Sequence, residues 1–572
     1  MNRKLTALAI ALSTALAAGQ ASANDSMAKG LNGYTVSAPL LTVGETMYYT
    51  DGDLNSTTAG NYTPPGLLDG LGAYELDKNT VRVFANHELT PFDGYSYEVS
   101  DGQGGTFSMT GARVSYFDID KFSKDILDAG LAYNIVYDAN GNIATDTSFL
   151  PADQEAGGFT RFCSAVLVDP LEFGRKGRGD GYAYGAGRGI EDRIFFTGEE
   201  TGGNFTGTSG AEWALDVETG AIWAVPAMGR GAWENITQVD TGRKSKVAFI
   251  LADDTSPFDA DGDGVKEAAP LYLYVGKKQK NGNFLERNGL SGGKLYVFVA
   301  DDPSINSPIQ FNTGGTLAGS WVEIDNSPTG PASNDGSTGF DEYGYPTQKT
   351  LWTRAEALNA FQFSRPEDVA TNPKKGNVAV LASTGRQSDF GGADVYGTIY
   401  TIDTNFRNMQ ADLRIVYDGD VDPNGTLRSP DNLEWADDGM IYVQEDKAVS
   451  TSVYTARNPA ESGIVRLDPW SGDAVRVAEI DRSVVLDASL PVWTDAVDEA
   501  PDEIGKPESS GIIDVSTLFG EKRGTLFLFD VQNHGIDDQE RFNADSRIID
   551  EDLKEGGQLL FLQKESRKDH HD

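Results

Sequence analysis

Short clusters of oxygen-bearing side chains recur along the chain at the ends of predicted strands. They are Asn86-His87-Glu88, Glu199-Glu200, Glu234-Asn235, Glu367-Asp368 and Asp431-Asn432. Carboxylate and amide oxygens are the ligands that hard cations such as Ca²⁺ prefer. Surface turns use the same residue types, so a single pair would say little about function. Five similar clusters predict one ligand site, provided that the strands beside them converge.

A separate acidic loop has the spacing of a calcium-binding turn. Asp259, Asp261 and Asp263 occupy positions one, three and five before Gly264, the glycine that the sharp turn requires. Position twelve, where calcium loops carry glutamate, is a proline, so Glu267 would have to complete the ligand shell differently. The pattern predicts a peripheral calcium site that serves stability.

Soft metal ligands are scarce in this chain. There is one cysteine, Cys163, and there are four histidines: His87, His534, His570 and His571. A lone cysteine excludes an intramolecular disulfide. So few histidines leave little room for His-based zinc chemistry or a serine triad. Cys163 is therefore either a small buried hydrophobe or a soft ligand for a metal.

The composition is strongly acidic. The chain carries 87 Asp and Glu against 47 Lys and Arg, a formal net charge of −40 at pH 7. Such a surface repels nucleic acid and anionic lipid, so neither is an expected partner. Bound divalent cations would relieve the self-repulsion, and adaptation to salty surroundings would account for the same composition.

The N-terminus has the pattern of an export signal. Arg3 and Lys4 precede an apolar run over 5–18, and Ala21-Ser22-Ala23 supplies a small-residue cleavage site. The single arginine favours a Sec-like signal over a twin-arginine signal. We therefore expect residues 1–23 to be removed and the mature chain to be periplasmic, secreted or held at the cell surface. No later segment is apolar enough to span a membrane.

Short runs of alternating apolar residues recur through the chain. Examples are residues 193–197, 271–275, 294–299, 398–402 and 525–529. This period predicts strands, and the flanking Gly, Asp and Asn residues predict hairpin turns. One sandwich or barrel rarely exceeds about 250 residues, which favours radial repetition. We predict an all-β, six-bladed β-propeller with long inserted loops near 176–191 and 311–348. It would form one domain over 24–563, followed by a polar tail over 564–572, and two stacked β domains are the alternative.

Several dispersed motifs, taken together, resemble one protein family. In chain order they are Arg161-Phe-Cys-Ser, Gly198-Glu-Glu, Gly229-Arg-Gly-Ala-Trp-Glu, Ala252-Asp-Asp, Leu271-Tyr-Leu-Tyr, Arg365-Pro-Glu, Ser429-Pro-Asp-Asn-Leu and Val531-Gln-Asn-His-Gly. Their order is similar to that of the PhoX-type alkaline phosphatases, and they cover most of the mature chain. The resemblance implies a six-bladed propeller that holds a mixed iron and calcium cluster in its channel and hydrolyses phosphate monoesters.

The resemblance also implies roles for individual residues. Cys163 would be the thiolate on iron, Glu234 and Glu367 would be carboxylate ligands, and Arg365 would bind the substrate phosphate. A planar guanidinium can hold two phosphoryl oxygens at once, although a structural pairing of Arg365 with Glu367 or Asp368 is the alternative. Further metal-ligand candidates are Asn86, Glu199, Asp431 and Glu508.

Three features depart from the family pattern. The signal is Sec-like, Trp233 stands where the family more often has histidine, and a Gly-rich stretch over 174–189 expands the spacing between Cys163 and Glu199. These departures leave room for a homologue with a changed substrate or with no activity.

The sequence therefore predicts an extracytoplasmic, metal-dependent phosphomonoesterase that uses calcium and iron to release phosphate from small-molecule esters. A calcium-binding propeller that recognises a partner or surface polymer without chemistry is the rival from another class. A calcium-dependent hydrolase of another ester, such as a phytase or lactonase, is a third alternative and would need no thiolate.

Overall fold

A computed structural model describes most of the chain. The described residues are 26–44, 47–50, 59–174, 187–202, 207–259, 262–264, 266–312, 314–486, 503–537 and 553–565. The predicted signal over 1–23, Asp261 and most of the predicted polar tail lie outside them.

Strands dominate the described residues, as the alternating pattern predicts. In chain order they are β1 (Ala28–Gly30), β2 (Tyr34–Val36), β3 (Leu41–Thr42), β4 (Met47–Thr50), β5 (Ala59–Tyr62), β6 (Leu68–Glu75), β7 (Thr80–His87), β8 (Tyr97–Ser100), β9 (Thr106–Gly111), β10 (Arg113–Asp120), β11 (Ile126–Leu131), β12 (Ile135–Tyr137), β13 (Gly158–Phe159), β14 (Phe162–Val168), β15 (Ile194–Glu199), β16 (Glu212–Asp216), β17 (Ala221–Ala224), β18 (Trp233–Val239), β19 (Lys246–Asp253), β20 (Tyr272–Lys277), β21 (Lys294–Ala300), β22 (Thr316–Ile324), β23 (Pro366–Thr371), β24 (Val378–Ser383), β25 (Thr398–Asn405), β26 (Gln410–Asp418), β27 (Pro430–Trp435), β28 (Ile441–Glu445), β29 (Gly463–Leu467), β30 (Ala474–Ile480), β31 (Glu508–Asp514), β32 (Leu526–Asp537) and β33 (Glu555–Lys564). The helices are short: α1 (Phe284–Asn288), α2 (Gln348–Glu356), α3 (Thr451–Tyr454) and α4 (Ser483–Leu486), with single 3₁₀ turns at Thr147–Phe149, Pro226–Met228 and Asp389–Gly391.

Strand pairing groups most of these elements into antiparallel units. The first unit is β6-β7-β10-β11, and the second is β14-β15-β16-β17 with β12 added as a parallel edge. Strands β18 to β21 and β23 to β26 form the third and fourth units, which β22 joins into one nine-stranded sheet. The fifth unit is β27 to β30, and the sixth is β31 to β33. The N-terminal strands complete these last units, because β1 pairs with β30 and β2 pairs with β33.

The first strand of each unit lines a central ring. Strands β6, β14, β18, β23, β27 and β31 contact one another in that order, and β31 contacts β6 again. We call these the inner strands. Because they begin at the same end of the ring, side chains at their first residues are brought to one mouth.

Apolar side chains fill the spaces between neighbouring units. Phe84 of the first unit packs on Phe195 of the second, with ring centroids 5.5 Å apart. Phe196 of the second packs on Phe249 of the third at 5.1 Å. Both faces of these sheets are therefore covered, which explains why β15 and β18 are buried along their whole length.

The long insertion before β23 returns to the mouth where the inner strands begin. Arg230 Nε donates to Asp341 Oδ2 at 3.0 Å, and Gln348 Nε2 at the start of α2 donates to Asp253 Oδ1 at 2.6 Å. The predicted all-β architecture with inserted loops is confirmed. Among the described helices, none combines the length and the apolar character that crossing a membrane requires.

Candidate metal centre

A β-bulge lies near the start of five inner strands, and in four of them a predicted ligand occupies it. In β14, Phe162 pairs with Glu199 and Ala165 pairs with Thr197, so two residues on β14 oppose one on β15. The first bulged residues of the five strands are Asp69, Cys163, Glu234, Glu367 and Asp431. A bulge bends the strand and re-aims a side chain, which turns each of these groups toward the ring mouth. In β31 the bulge lies further along the strand, between Ser510 and Ile512, and Glu508 is the first residue of the strand.

The second bulged residues tie the inner strands together. Asn235 Nδ2 donates to Asp368 Oδ1 at 2.5 Å, and Asp368 Oδ2 accepts the backbone N–H of Leu433 at 2.7 Å. Asn432 Nδ2 then donates to Asp69 Oδ1 at 2.9 Å. In β6 the second bulged residue is Gly70, where an added Cβ would lie 2.2 Å from the backbone nitrogen of Ala165. This polar belt fixes the spacing of the strands that carry the ligands.

The acidic and thiol side chains at this mouth form one continuous group, which we call the acidic cluster. Potential ligand atoms lie within 4.8 Å of one another in four sets: Asp69, Glu88 and Cys163; Cys163, Glu200 and Glu234; Glu234, Glu367 and Asp431; and Asp431, Asp446 and Glu508. Cys163, Glu234 and Asp431 each belong to two sets, so the sets join. The arrangement could hold several cations side by side.

Burial and mutual repulsion make the acidic cluster unfavourable in its fully charged form. Burial, reinforced by Glu88, raises the pKa of Asp69 to about 8. Burial and the neighbouring carboxylates raise the pKa values of Glu234 and Glu367 well above their ordinary range. Burial likewise raises the pKa of the Cys163 thiol, whose Sγ donates to Asp69 Oδ2 at 3.3 Å. Such groups must hold protons or bind cations.

Arg365 lies against the acidic cluster with its guanidinium fixed. Its Nε donates to Asp254 Oδ1 at 2.8 Å and its Nη2 to Asp254 Oδ2 at 2.5 Å, with Glu367 Oε1 at 3.0 Å from Nη2. Burial opposes its charge, but Asp254 and Glu367 hold the pKa of Arg365 well above its usual value. The side chain keeps 18% of its surface exposed.

A histidine stands at the other end of the acidic cluster. His534 contacts Glu555 Oε2 at 2.7 Å and Glu508 Oε2 at 3.5 Å. Burial alone would lower the pKa of His534, but the two glutamates raise it well above its usual value. His87, by contrast, contacts Gly66 O at 3.0 Å and Ser115 Oγ at 2.6 Å, and burial lowers its pKa to about 3.

The donor set around the acidic cluster fits the metals that the family resemblance implies. Among the described residues, the buried oxygens without a hydrogen-bond partner include Asn86 Oδ1, Asn432 Oδ1, Gln532 Oε1 and both carboxylate oxygens of Asp530. Each buried oxygen without a partner lowers the stability of the fold by about 1–3 kcal/mol, and a bound cation would remove this cost. Oxygen ligands suit calcium, and one thiolate among carboxylates suits iron.

The structure separates the predicted ligands into two groups. Cys163, Glu234, Glu367, Asp431 and Glu508 all belong to the acidic cluster. Glu199 belongs to none of these sets, and Asn86, whose amide the sets do not include, stays a predicted ligand with a buried Oδ1 that has no hydrogen-bond partner. Asn86 Nδ2 donates to the backbone oxygens of Cys163 and Ser164, and Glu199 accepts the backbone N–H groups of Thr160 and Ala211 at 3.3 and 3.1 Å.

The predicted calcium loop is a separate feature on the surface. Asp259 Oδ1 accepts the N–H of Gly262 at 2.7 Å, and its Oδ2 accepts that of Gly264 at 3.0 Å. Asp263 is exposed, Glu267 is buried and bonds through its backbone to Phe258, and Asp261 lies outside the described residues. The calcium site stays a prediction.

Other members of the acidic cluster were not among the predicted ligands. They are Asp69, Glu88, Glu200 and Asp446. Glu88 and Glu200 belong to clusters that the sequence reveals, but the predicted ligands in those clusters are Asn86 and Glu199. Asp69 is a lone acid in the sequence, and Asp446 directly follows Glu445 outside the five clusters, so only the fold brings them together with the others.

The comparison with known families agrees with this geometry. The model of the family "Alkaline phosphatase PhoX" matches residues 219–473, a stretch that includes Glu234, Arg365, Glu367 and Asp431. The resemblance predicted from the sequence is thus confirmed. No curated protein sequence matches the chain.

One solved structure shows a similar fold. Pseudomonas fluorescens PhoX in complex with vanadate, a transition state analogue, aligns with a TM-score of 0.57 at 15% identity, covering 94% of this chain and 96% of that one. Two further structures are more distant and do not bear on function. The PQQ domain of Coprinopsis cinerea pyranose dehydrogenase aligns with a TM-score of 0.30 at 11% identity, covering 74% of this chain and 95% of that one. A mutant Trypanosoma rangeli sialidase aligns with a TM-score of 0.31 at 9% identity, covering 94% of this chain and 59% of that one.

Proposed function

We propose that this chain is a metal-dependent phosphomonoesterase of the alkaline phosphatase type, acting on small-molecule phosphate esters. One observation carries the proposal: the inner strands converge on a single acidic and thiol cluster beside the guanidinium of Arg365. The family match over residues 219–473 supports a phosphoesterase of this type.

Calcium and iron are the cofactors that we assign to the acidic cluster. Cys163 would bind iron, while Asp69, Glu234, Glu367 and Asp431 supply hard oxygen ligands to iron and calcium. Bound cations would neutralise the phosphate dianion and activate the attacking water. Little acid–base chemistry is then left to the side chains.

The chain's own contribution is positioning. The bulged backbone presents the ligands without long flexible loops, and the polar belt keeps the inner strands in register. Asp254 fixes the Nε and Nη2 edge of Arg365, which orients the planar fork toward the acidic cluster. A fork of this shape can hold two oxygens of a phosphoryl group.

The proposal is tested on purified wild-type protein and on Cys163→Ser. We expect the wild type to contain iron and calcium, to absorb visible light as ferric thiolates do, and to hydrolyse p-nitrophenyl phosphate. The substitution should remove both the colour and the hydrolysis. Active, colourless and iron-free protein would overturn the iron assignment. Calcium-loaded but inactive wild type would favour the calcium-binding propeller that recognises a partner without chemistry.

A matched pair of glutamate variants controls for nonspecific damage. Glu234→Gln removes a member of the acidic cluster, whereas Glu434→Gln changes another ring carboxyl, on β27, whose pKa burial raises to about 8. We expect metal content and turnover to fall only in Glu234→Gln. Equal loss in both variants would mean that the acidic cluster has no special role.

We also propose that the protein works outside the cytoplasm as a single catalytic domain over 24–563. The support is the export pattern over 1–23, which lies outside the described residues. Sequencing the N-terminus of the mature protein tests it: cleavage after Ala23 is expected, and an uncleaved chain in the cytoplasm would contradict it.

A further inference from the structure

Arg161 occupies the same place in its unit as Arg365 does in another. Each residue directly precedes an inner strand and stands two residues before a member of the acidic cluster, Cys163 or Glu367. Both have the positive φ that non-glycine residues rarely adopt, 41° for Arg161 and 59° for Arg365. Leu67 and Ser429, which directly precede the inner strands β6 and β27, have a positive φ as well, 54° and 44°, so this conformation belongs to the entry of the inner strands.

The two arginines precede inner strands that are separated by β18 alone, and their acidic partners are linked through the backbone. Arg161 Nη2 lies 2.6 Å from Glu88 Oε1 and also contacts Glu200. The carbonyl of Arg161 accepts the N–H of Glu200 at 2.9 Å, and Glu200 forms a bridge with Ala232. The carbonyl of Ala232 in turn accepts the N–H of Asp254, the partner of Arg365, at 2.8 Å.

Arg161 differs from an arginine that only holds the fold together. Arg428 is fully buried and donates to Glu445 and to backbone carbonyls around it. Arg161 keeps 43% of its side-chain surface exposed, more than the 18% of Arg365, while its Nε is buried with no hydrogen-bond partner. Arg161 thus combines a side chain that is largely exposed to solvent with a position beside the acidic cluster.

We propose that Arg161 is a second phosphate-positioning residue on the rim, two inner strands away from Arg365. This inference rests on the proposed phosphomonoesterase function. A terminal phosphate has three non-bridging oxygens, so two guanidinium forks can bind it from two directions. A phosphodiester has only two such oxygens and gains less from the second fork.

The test compares wild type, Arg161→Ala, Arg161→Lys and Arg407→Ala, in which an exposed turn arginine is removed as control. Binding of inorganic phosphate is measured by calorimetry, and kcat and KM are measured with p-nitrophenyl phosphate. We expect Arg161→Ala to weaken phosphate binding and raise KM about 10-fold to 100-fold, the range for hydrogen bonds to charged groups. Metal content should stay unchanged, Arg161→Lys should restore part of the loss, and Arg407→Ala should match wild type.

The outcomes separate this inference from the proposed function. If wild type turns over but Arg161→Ala keeps the phosphate affinity and KM of wild type, the inference is wrong and the function stands. If Arg161→Ala loses metal together with kcat, Arg161 is structural and the inference is again wrong. If wild type binds phosphate without hydrolysing any monoester, and Arg161→Ala binds it more weakly, the positioning role stands while the enzyme assignment fails. Wild type that neither binds phosphate nor hydrolyses esters overturns both.

Discussion

At the scale of residues, the sequence shows adjacent polar pairs of which one member joins the acidic cluster. Glu200 belongs to the acidic cluster, whereas its neighbour Glu199 accepts hydrogen bonds from backbone N–H groups. Successive side chains of a strand point to opposite faces, so a shift of one residue reverses the choice. The sequence shows that such a pair exists, but only the register of pairing decides which member faces the cations.

Removing the Arg365 side chain tests its assigned role. We expect Arg365→Ala to retain its metals, because Glu367 remains free to bind a cation, and to weaken phosphate binding about 10-fold to 100-fold. Arg365→Lys keeps the positive charge but loses the planar guanidinium, so its phosphate affinity should lie between those of wild type and Arg365→Ala. Metal analysis and phosphate calorimetry check this, and loss of metal in Arg365→Ala would support structural pairing instead.

At the scale of elements, the repeated bulge is the device that builds the acidic cluster. Three of its bulged pairs, such as Glu234-Asn235, are visible in the sequence because both members are polar. Asp69-Gly70 was missed because one acid beside a glycine looks like an ordinary turn. Its alignment with Cys163 depends on closure of the ring between β6 and β14, a contact between distant parts of the chain that no local pattern encodes.

A methyl group at position 70 should disturb that closure. Gly70→Ala would place Cβ 2.2 Å from the backbone nitrogen of Ala165, and such overpacking costs about 1–3 kcal/mol. Gly292→Ala is the control, since its Cβ meets nothing within 4 Å and only the positive φ is strained. We expect a lower melting temperature and less bound metal for Gly70→Ala than for the control. Equal melting temperatures would contradict the close approach.

A buried ion pair holds the fifth unit. Arg428 and Glu445 are both fully buried, and Arg476 Nη1 adds a contact to Glu445 at 2.7 Å. Removing one charge of such a pair costs about 3–5 kcal/mol, because the other is left uncompensated. Denaturant unfolding should therefore show a large loss for Glu445→Gln and almost none for Lys294→Gln, whose pair with Glu323 is exposed. A small loss in Glu445→Gln would mean that solvent reaches the pair.

At the scale of the whole molecule, the proposed cations would link the net charge of −40 to the ring of inner strands. Composition predicts cation binding but equally allows adaptation to salt. The fold favours cation binding, because part of the negative charge is concentrated at one mouth of the ring, where burial makes it costly.

Stability without cations should depend on pH in a defined direction. Burial raises the pKa of Asp69 from 3.8 to about 8 and that of Glu200 from 4.5 to about 8, so the fold binds protons that the unfolded chain releases. This stability is complete below about pH 4 and is lost as pH rises through about 8. We expect the melting temperature of chelator-treated protein to fall between about pH 5 and pH 8, and calcium to restore it at pH 8. A melting temperature that rises over this range would contradict the assignment.

The most direct test of the acidic cluster as a metal centre is anomalous X-ray diffraction from the purified, untreated protein. Data collected above the iron absorption edge should place an iron peak next to Cys163 Sγ, with further cation density between Glu234, Glu367 and Asp431. A well-ordered map with no cation at this mouth, and with these carboxyl groups hydrogen-bonded to one another as neutral acids, would contradict the central claim.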